Sequence, residues 1–208
     1  VGGLMAVTPP LMVVATGEWA AMHHTSLPSA TELITVTDDE LRRISFLQHP
    51  QKVMAVFKMD FLGHDSEIRP DELYLALDGV QDPGNLGTII RIADWFGIRR
   101  IFCSPETADV WNPKVIQATM GSIARVSVEY TPLVSLMDSL PEGFPVYGTL
   151  LDGDDITKAD THNHGIIVMG NEGNGISPAI RERVTHKLLI PNYPAGSPTA
   201  DSLNVAIA

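Results

Sequence analysis

The chain has 208 residues, of which 44% are hydrophobic and 19% charged, a composition typical of a soluble globular protein with a substantial apolar core. No apolar run is long enough to span a membrane, and the apolar opening lacks the basic segment that begins a signal peptide. The net charge of −11 disfavours a general nucleic-acid coat but leaves room for a local basic cleft. The single cysteine, Cys103, excludes an intrachain disulfide framework and predicts a cytoplasmic protein.

The first part of the chain has the pattern of a small α/β unit. Its strand patterns cover residues 11–16, 32–37 and 52–59, and the apolar opening is also expected to be extended. Thr37 and Glu40 have the spacing of a capping box, which predicts a helix that begins just after Thr37. We therefore predict a domain over residues 1–59, followed by a polar linker over 60–72.

Strands and helices alternate more regularly from residue 73 onward. The strand patterns lie at 73–78, 100–104, 125–130, 145–151, 165–170 and 187–192. The helix patterns lie at 86–96, 113–119, 132–139 and 178–185. Short buried strands that alternate with helices predict a mostly parallel sheet with helices on both faces. Ligands of such sheets bind beyond the carboxyl ends of the strands, so the loops there are the candidate site of this second domain, residues 73–208.

The first of these loops lies in LDGVQDPGNLGTIIR, residues 77–91. Asn85 stands where we expect the N-cap of the following helix, and Arg91 places a permanent cation on that helix. The position of Arg91 favours a role at the loop. The alternative is a surface ion pair with Asp82 or Asp94, because such pairs are common.

The second loop, MGNEGNGISP at residues 169–178, follows a strongly apolar strand. Its closely spaced glycines are typical of a backbone nest for an anion or a cofactor edge, and Glu172 is the acid among them. It matches neither a Walker A loop nor the dinucleotide-binding fingerprint. A sharp solvated turn is the alternative interpretation.

The third loop follows the strand that ends at Ile190. An irregular segment rich in Gly, Pro and Ser leads to Ser202, which is placed to cap an apolar helix. Three glycine- or proline-rich loops at strand ends are expected to converge on one pocket.

Together and in this order, the three loops resemble the motifs of the SpoU/TrmH-type RNA 2′-O-ribose methyltransferases of the SPOUT superfamily. NLGTIIR matches the first motif, VMGNEGNGIS the second, and the segment from IP to SLNVAIA the third. The resemblance covers residues 73–208, and it departs from the family at NYPAGSPTAD, a longer, Pro-rich loop over the expected pocket. It implies a trefoil-knotted sheet for 73–208, preceded by a small RNA substrate-binding domain.

The resemblance also implies an activity, namely methyl transfer from S-adenosylmethionine (SAM) to a ribose 2′-hydroxyl in rRNA or tRNA, with rRNA favoured. It implies a homodimer and requires no metal. The implied catalytic residues are Asn85, Arg91, Glu172, Ser202 and Asn204. The implied cofactor contacts are Leu150, Gly170, Asn171, Gly173, Ile190 and Leu203.

The role of Arg91 has two interpretations. Family accounts assign its counterpart as the base that removes the hydroxyl proton, whereas a guanidinium with a pKa above about 12 is better suited to clamp a phosphate. Asn85, Ser202 and Asn204 are expected to hold ribose, phosphate or Arg91. Glu172 is expected to orient Arg91 or Asn85.

Two other classes of function stay open at this point. One is an RNA-binding or ribosome-assembly module that has the same fold without turnover. The other is a nucleotide-binding α/β enzyme that uses GNEGNG. The chain begins without an initiator Met and ends within an apolar run, so we expect a piece of the first domain and the C-terminal helix of the second to be missing.

Overall fold

The computed structural model describes residues 1–47, 49–59, 67–194 and 203–208. The chain divides into two compact units, Val1–Gly63 and His64–Ala208. The part of the predicted linker that is described, residues 67–72, belongs to the second unit. There the backbone N–H of Arg69 donates to the hydroxyl of Tyr74, 2.9 Å away, and that hydroxyl donates to Glu72. The domain boundaries themselves stay a prediction.

The first unit is built on a three-stranded sheet with the strand order β2-β1-β3. Strand β1 is Met12–Thr16, β2 is Glu32–Val36 and β3 is Val53–Val56. Strand β1 pairs parallel with β2 and antiparallel with β3. The predicted strands are therefore present, although the third is shorter than its pattern.

Three α-helices accompany this sheet: α1 is Gly2–Met5, α2 is Gly17–His23 and α3 is Asp38–Ile44. The capping box predicted for α3 is confirmed, since Thr37 and Glu40 bond each other's backbone N–H groups. The expectation of an extended opening is wrong for α1. Helix α2 has no counterpart in the sequence analysis, and it begins directly at the strand end because Thr16 serves as its N-cap.

The second unit is built on a six-stranded sheet, and all of its strand pairs are parallel. Its strands are β4 (Leu73–Asp78), β5 (Arg100–Cys103), β6 (Ser127–Tyr130), β7 (Val146–Asp155), β8 (Gly165–Gly170) and β9 (His186–Leu189). Its α-helices are α4 (Pro83–Trp95), α5 (Pro113–Ala118), α6 (Leu133–Asp138) and α7 (Pro178–Arg181). The predicted mostly parallel α/β fold is confirmed.

The core of this unit lies on both faces of the sheet. Tyr74 and Ala76 of β4 belong to an apolar cluster that contains residues of α6 and α7. Because side chains alternate along a strand, the buried Leu75 and Leu77 point to the opposite face, where α4 packs on α5. That helix contact is close, since a Cβ on Gly87 would lie 2.5 Å from the Cβ of Ala118.

The strand order β6-β5-β4-β8-β7-β9 places the candidate loops. From β4 the chain moves outward through β5 and β6 and then crosses to the other side of β4, so β4 and β8 are neighbours at a switch point. Helix α7 contributes Ile180 to the apolar cluster on the Tyr74 face, to which α4 contributes no residue, so the two helices that follow these strands lie against opposite faces of the sheet. The trefoil knot stays a prediction, because residues 195–202 lie outside the described residues.

Candidate functional site

The loops after β4 and β8 start side by side. In the ladder between these strands Asp78 is the register partner of Gly170, so both chains leave the sheet at one level. Gly79 then turns with a φ of +76°, a conformation that favours glycine. A Cβ on Gly170 would lie 2.2 Å from the carbonyl carbon of Gly175, so the second loop folds closely back on its own start.

Side-chain hydrogen bonds join the two loops directly. The amide nitrogen of Asn171 donates to the carbonyl of Gly79 at 2.7 Å. The carboxylate of Asp78 accepts from the backbone N–H of Ser177 at 2.7 Å. Asp78 is not among the residues predicted for the site, although an acid at the carboxyl end of a buried strand is a signal for one.

Helix α4 begins three residues earlier than its predicted start. Its N-cap is Asp82, whose carboxylate accepts from the backbone N–H of Asn85 at 2.8 Å, and Pro83 occupies the first turn. The expectation that Asn85 is the N-cap is therefore wrong. Asp followed by Pro is an equally good start signal, and it lies upstream. The correction matters because the side chain of Asn85 is released for other contacts.

Asn85 makes those contacts with Glu172. Its amide nitrogen donates to Glu172 Oε1 at 3.0 Å, and the backbone N–H groups of Gln81 and Asp82 donate to the same carboxylate at 3.3 Å. Burial on its own would raise the pKa of Glu172, but the hydrogen bonds from Asn85 and from these backbone groups outweigh it, and the pKa lies below its usual value. Glu172 is thus held as an ionised acceptor.

Asn204 extends this chain of contacts from a third segment. Its amide nitrogen donates to Asn85 Oδ1 at 3.0 Å, while its own Oδ1 accepts from the backbone N–H of Ala206 at 2.9 Å. An ionised carboxylate can only accept, so Glu172 fixes which way the Asn85 amide faces. Ser202, which was predicted beside Asn204, lies outside the described residues.

Arg91 is exposed on α4, and within the described parts of the chain it forms no hydrogen bond or salt bridge. The surface ion pair considered as an alternative is not observed, since Asp94 binds Arg125 through contacts as short as 2.6 Å and Asp82 caps the helix. Of the two partners predicted for Glu172, the structure gives it Asn85. The guanidinium of Arg91 is therefore exposed, and none of its donors is used by a described residue.

Three of the predicted cofactor residues lie on or next to neighbouring strands: Leu150 within β7, Gly170 at the end of β8 and Ile190 just after β9. Gly148 is paired with Val168, and Thr149 with Leu188, so Leu150, Gly170 and Ile190 follow these pairs at one level on neighbouring strands. Leu150 lies where the register of β7 shifts against β9, between Thr149 and Asp154. Leu150 and Ile190 are half-buried, and Leu203 is exposed.

The other two predicted cofactor residues differ in how they are used. The side-chain oxygen of Asn171 accepts from the backbone N–H groups of Gly173 and Asn174, and its nitrogen binds Gly79. Its side chain is thus occupied in holding the loops. Gly173 is exposed, and a Cβ there would make only an ordinary contact at 3.5 Å.

The described residues contain neither a membrane-spanning helix nor a group of potential metal ligands. In that part of the chain no helix combines the length and apolarity needed to cross a membrane. No three His, Cys, Asp or Glu residues within the same ranges are grouped so that they could hold a metal ion.

Comparison with known proteins identifies the family. The SpoU rRNA Methylase family matches residues 72–208. The chain belongs to this family. A curated relative, the 23S rRNA (guanosine(2553)-2'-O)-methyltransferase RlmP of Bacillus subtilis (strain 168), is 33% identical over 184 residues, which cover 88% of this chain and 71% of the relative. Two further relatives are matched over less than two thirds of their length, 62% and 64%.

Solved structures agree with this SpoU assignment. A protein of the TrmH family of RNA methyltransferases from Porphyromonas gingivalis is 40% identical, with a TM-score of 0.83, and the match covers all of this chain and 82% of that one. An AdoMet-bound rRNA methyltransferase from Sinorhizobium meliloti is 29% identical, with a TM-score of 0.81, over 99% of this chain and 78% of that one. The resemblance drawn from the three loops is confirmed.

Proposed function

We propose that this SpoU-family protein transfers a methyl group from SAM to a ribose 2′-hydroxyl of rRNA. The observation that carries the proposal is the chain of hydrogen bonds from Asn204 through Asn85 to Glu172. Asn85 belongs to helix α4, which also presents the exposed Arg91. The rRNA activity named for the Bacillus relative and the AdoMet bound in the Sinorhizobium structure support the substrate and the cofactor.

The described residues suit SAM around Leu150 of β7 and the ends of β8 and β9. Leu150 and Ile190 offer half-buried apolar surface, and Gly170 of β8, on the other side of Leu150, adds backbone without side-chain bulk. Such a combination fits the flat faces and polar edges of an adenosine group. When bound, SAM supplies a methyl group already activated on a sulfonium. The chain must then bind and align the ribose and accommodate the hydroxyl proton.

We assign Arg91 to the RNA phosphate beside the target ribose. In the described structure its guanidinium is exposed, and a solvated guanidinium keeps its proton, so it is poorly suited to act as the base. It is well suited to bidentate contact with a phosphate, which would fix the 2′-hydroxyl and stabilise charge that develops on its oxygen. Glu172 holds Asn85 in place for contact with the nucleotide.

We also propose that the protein is a homodimer whose two subunits contact each other through the end of α4. Trp95 and Phe96 are 85% and 74% exposed there, and Ile92 of the same helix and Met120, just after α5, are exposed as well. Adjacent exposed apolar residues of this size mark an interaction surface. Arg91 lies one turn from Trp95, so this contact would border the site. The variant Trp95→Glu should sediment as a monomer where the parent sediments as a dimer.

The remaining assignments follow from the resemblance. We propose that the first unit binds the RNA substrate and that the protein is cytoplasmic, in keeping with a single cysteine that is fully buried. Photocrosslinking to substrate RNA should recover peptides from residues 1–59, and recovery confined to the second unit would contradict the first assignment.

The activity is tested with methyl-labelled SAM and the full-length protein. Separate pools of unmodified rRNA and tRNA are incubated, and the RNA is digested to nucleosides. We expect label in a 2′-O-methyl nucleoside from the rRNA pool. Label in the tRNA pool alone would overturn the rRNA assignment, and label on a base would overturn the ribose assignment. Bound SAM without transfer to free or ribosome-assembled RNA would favour an assembly module.

A further inference from the structure

A pair of buried hydroxyl groups outside the family motifs lies against the turn that leads into α4. Ser104 and Thr107 both lie in the loop that follows β5, and both residues are at least 94% buried. Ser104 Oγ accepts from the backbone N–H of Gly79 at 3.0 Å, and Thr107 Oγ1 donates to the carbonyl of Leu77 at 3.0 Å. The two hydroxyl oxygens are 3.3 Å apart. The pair therefore bridges the two sides of Asp78.

The direction of the middle hydrogen bond follows from counting protons. The single hydroxyl proton of Thr107 is used on Leu77, so Thr107 can only accept from Ser104. The result is one continuous chain that runs from the Gly79 N–H through Ser104 and Thr107 to the Leu77 carbonyl. Buried chains of this kind are cooperative, and the loss of one member leaves the others unsatisfied.

Backbone hydrogen bonds add to the contacts that Ser104 and Thr107 make with the Gly79 turn, and we call this set of contacts the clamp. The N–H of Ser104 donates to the Leu77 carbonyl at 2.9 Å, and the N–H of Ala108 donates to the carbonyl of Val80 at 2.9 Å. On the other side of the turn, Asn171 binds the Gly79 carbonyl and Glu172 binds the next backbone groups. The turn is thus held between the loop after β5 and the loop after β8. Its position decides where α4 presents Asn85 to Glu172.

We propose that Ser104 and Thr107 are positioning residues for methyl transfer. This inference rests on the proposed function. Neither side chain belongs to β7 or to the segment after β9, where Leu150 and Ile190 are proposed to contact SAM. They hold the Gly79 turn, and through it they hold Asn85 and Arg91 in the geometry that the ribose and its phosphate require.

The test compares Ser104→Ala and Thr107→Val with the parent, with Thr107→Ser as the variant that restores a hydroxyl. Thr119→Val is the matched control, because the Thr119 hydroxyl is also fully buried but bonds only within residues 116–121. For each full-length protein we would measure Tm, the SAM Kd, and kcat on saturating rRNA. Amide exchange at Gly79, Gln81 and Asp82 would be followed by NMR.

We expect Ser104→Ala and Thr107→Val to lose kcat by about 10- to 100-fold with the SAM Kd unchanged. Thr107→Ser should recover most of the loss. Thr119→Val should lower Tm comparably and keep kcat. Unchanged kcat in both loss variants, or an equal loss in Thr119→Val, would overturn the positioning role.

Amide exchange separates this inference from the proposed function. If the parent transfers no methyl group to any RNA, the proposed function fails, but the clamp is still tested. Faster exchange at Gln81 and Asp82 in the two loss variants, with no change in Thr119→Val, would support it. Exchange rates equal to those of the parent would overturn it.

Discussion

Two parts of helix α4 that face the candidate site are held in opposite ways. Asn85, in its first turn, is bonded on both sides, to Glu172 and to Asn204. Arg91, less than two turns further on, forms no hydrogen bond or salt bridge with any described residue. Asn85 is therefore held in position before a substrate binds, whereas we expect Arg91 to form its hydrogen bonds with the substrate.

The difference indicates a division of labour. Polar groups that are fixed during folding lose no further freedom when the reaction begins, and this is the condition under which they stabilise a transition state well. A free guanidinium keeps its entropy until a phosphate with the correct position completes its hydrogen bonds. The fixed part would set geometry, and the free part would select the RNA.

The largest expected effect comes from removing the side chain of Arg91. Arg91→Ala should lower kcat/KM for RNA by about 100- to 1,000-fold, because a charged donor at the reacting nucleotide is lost. Methyl transfer would be measured at subsaturating RNA. SAM affinity and Tm should stay at the parent values, since the side chain is exposed. Arg99→Ala removes another exposed arginine and is the control. Equal losses in both variants would contradict a specific role for Arg91.

Glu172→Gln tests the fixed part and should cost less activity. The amide replaces one acceptor oxygen with a donor that faces the N–H groups now bound to Glu172. We expect kcat to fall by roughly 10- to 100-fold and the free energy of unfolding to fall by about 1–3 kcal/mol. Urea unfolding and single-turnover transfer would measure the two losses. Glu106→Gln, at an exposed loop carboxylate, should change neither. Full stability with lost activity would mean that Glu172 acts on the substrate rather than on Asn85.

A smaller effect is expected on the pH dependence of stability, through the carboxylate of Glu172. The pKa of Glu172 is lower in the folded protein than in the unfolded chain, where it is near 4.5. Its contribution to stability is therefore present in full above about pH 4.5, and it is lost as the pH falls through the lower folded value. We expect the stability difference between the parent and Glu172→Gln to shrink below about pH 4.5 in thermal unfolding at stepped pH. A difference that is constant across this range would contradict the assignment.

The sequence predicted the parts of this site whose signals are local. The capping box at Thr37 and the start of α7 after Ser177 both depend on residues close together in the chain. Of the residues that the resemblance implied as catalytic, Asn85, Glu172 and Asn204 are linked by hydrogen bonds, Arg91 forms none with a described residue, and Ser202 lies outside the described residues.

The features that the sequence did not predict depend on a choice between competing local signals or on contacts between residues far apart in the chain. Asp82 and Asn85 are both good N-caps, and only the position of Pro83 favours the earlier one. Strand β7 continues to Asp155 because the backbone of β9 pairs with Asp154 and Asp155 beyond the irregular register, although such residues are poor strand formers. That Glu172 binds Asn85 rather than Arg91 follows from the placement of β4 beside β8, which no local pattern contains.

The smallest expected effect concerns the salt dependence of RNA binding. In the basic stretch 91–125, Arg100 is paired with Glu129 and Arg125 with Asp94. Arg91, Arg99 and Lys114 have no such bond to described residues, so this stretch offers only a few cations to phosphates. Contacts to about three phosphates would give a slope of log K against log salt near −2, or roughly a 20-fold loss of affinity between 50 and 200 mM salt. Fluorescence anisotropy with a labelled rRNA fragment would measure the slope. Arg91→Ala should make it shallower by about 0.7, and a parent slope of about −7 would mean that RNA meets a far broader basic surface than these cations provide.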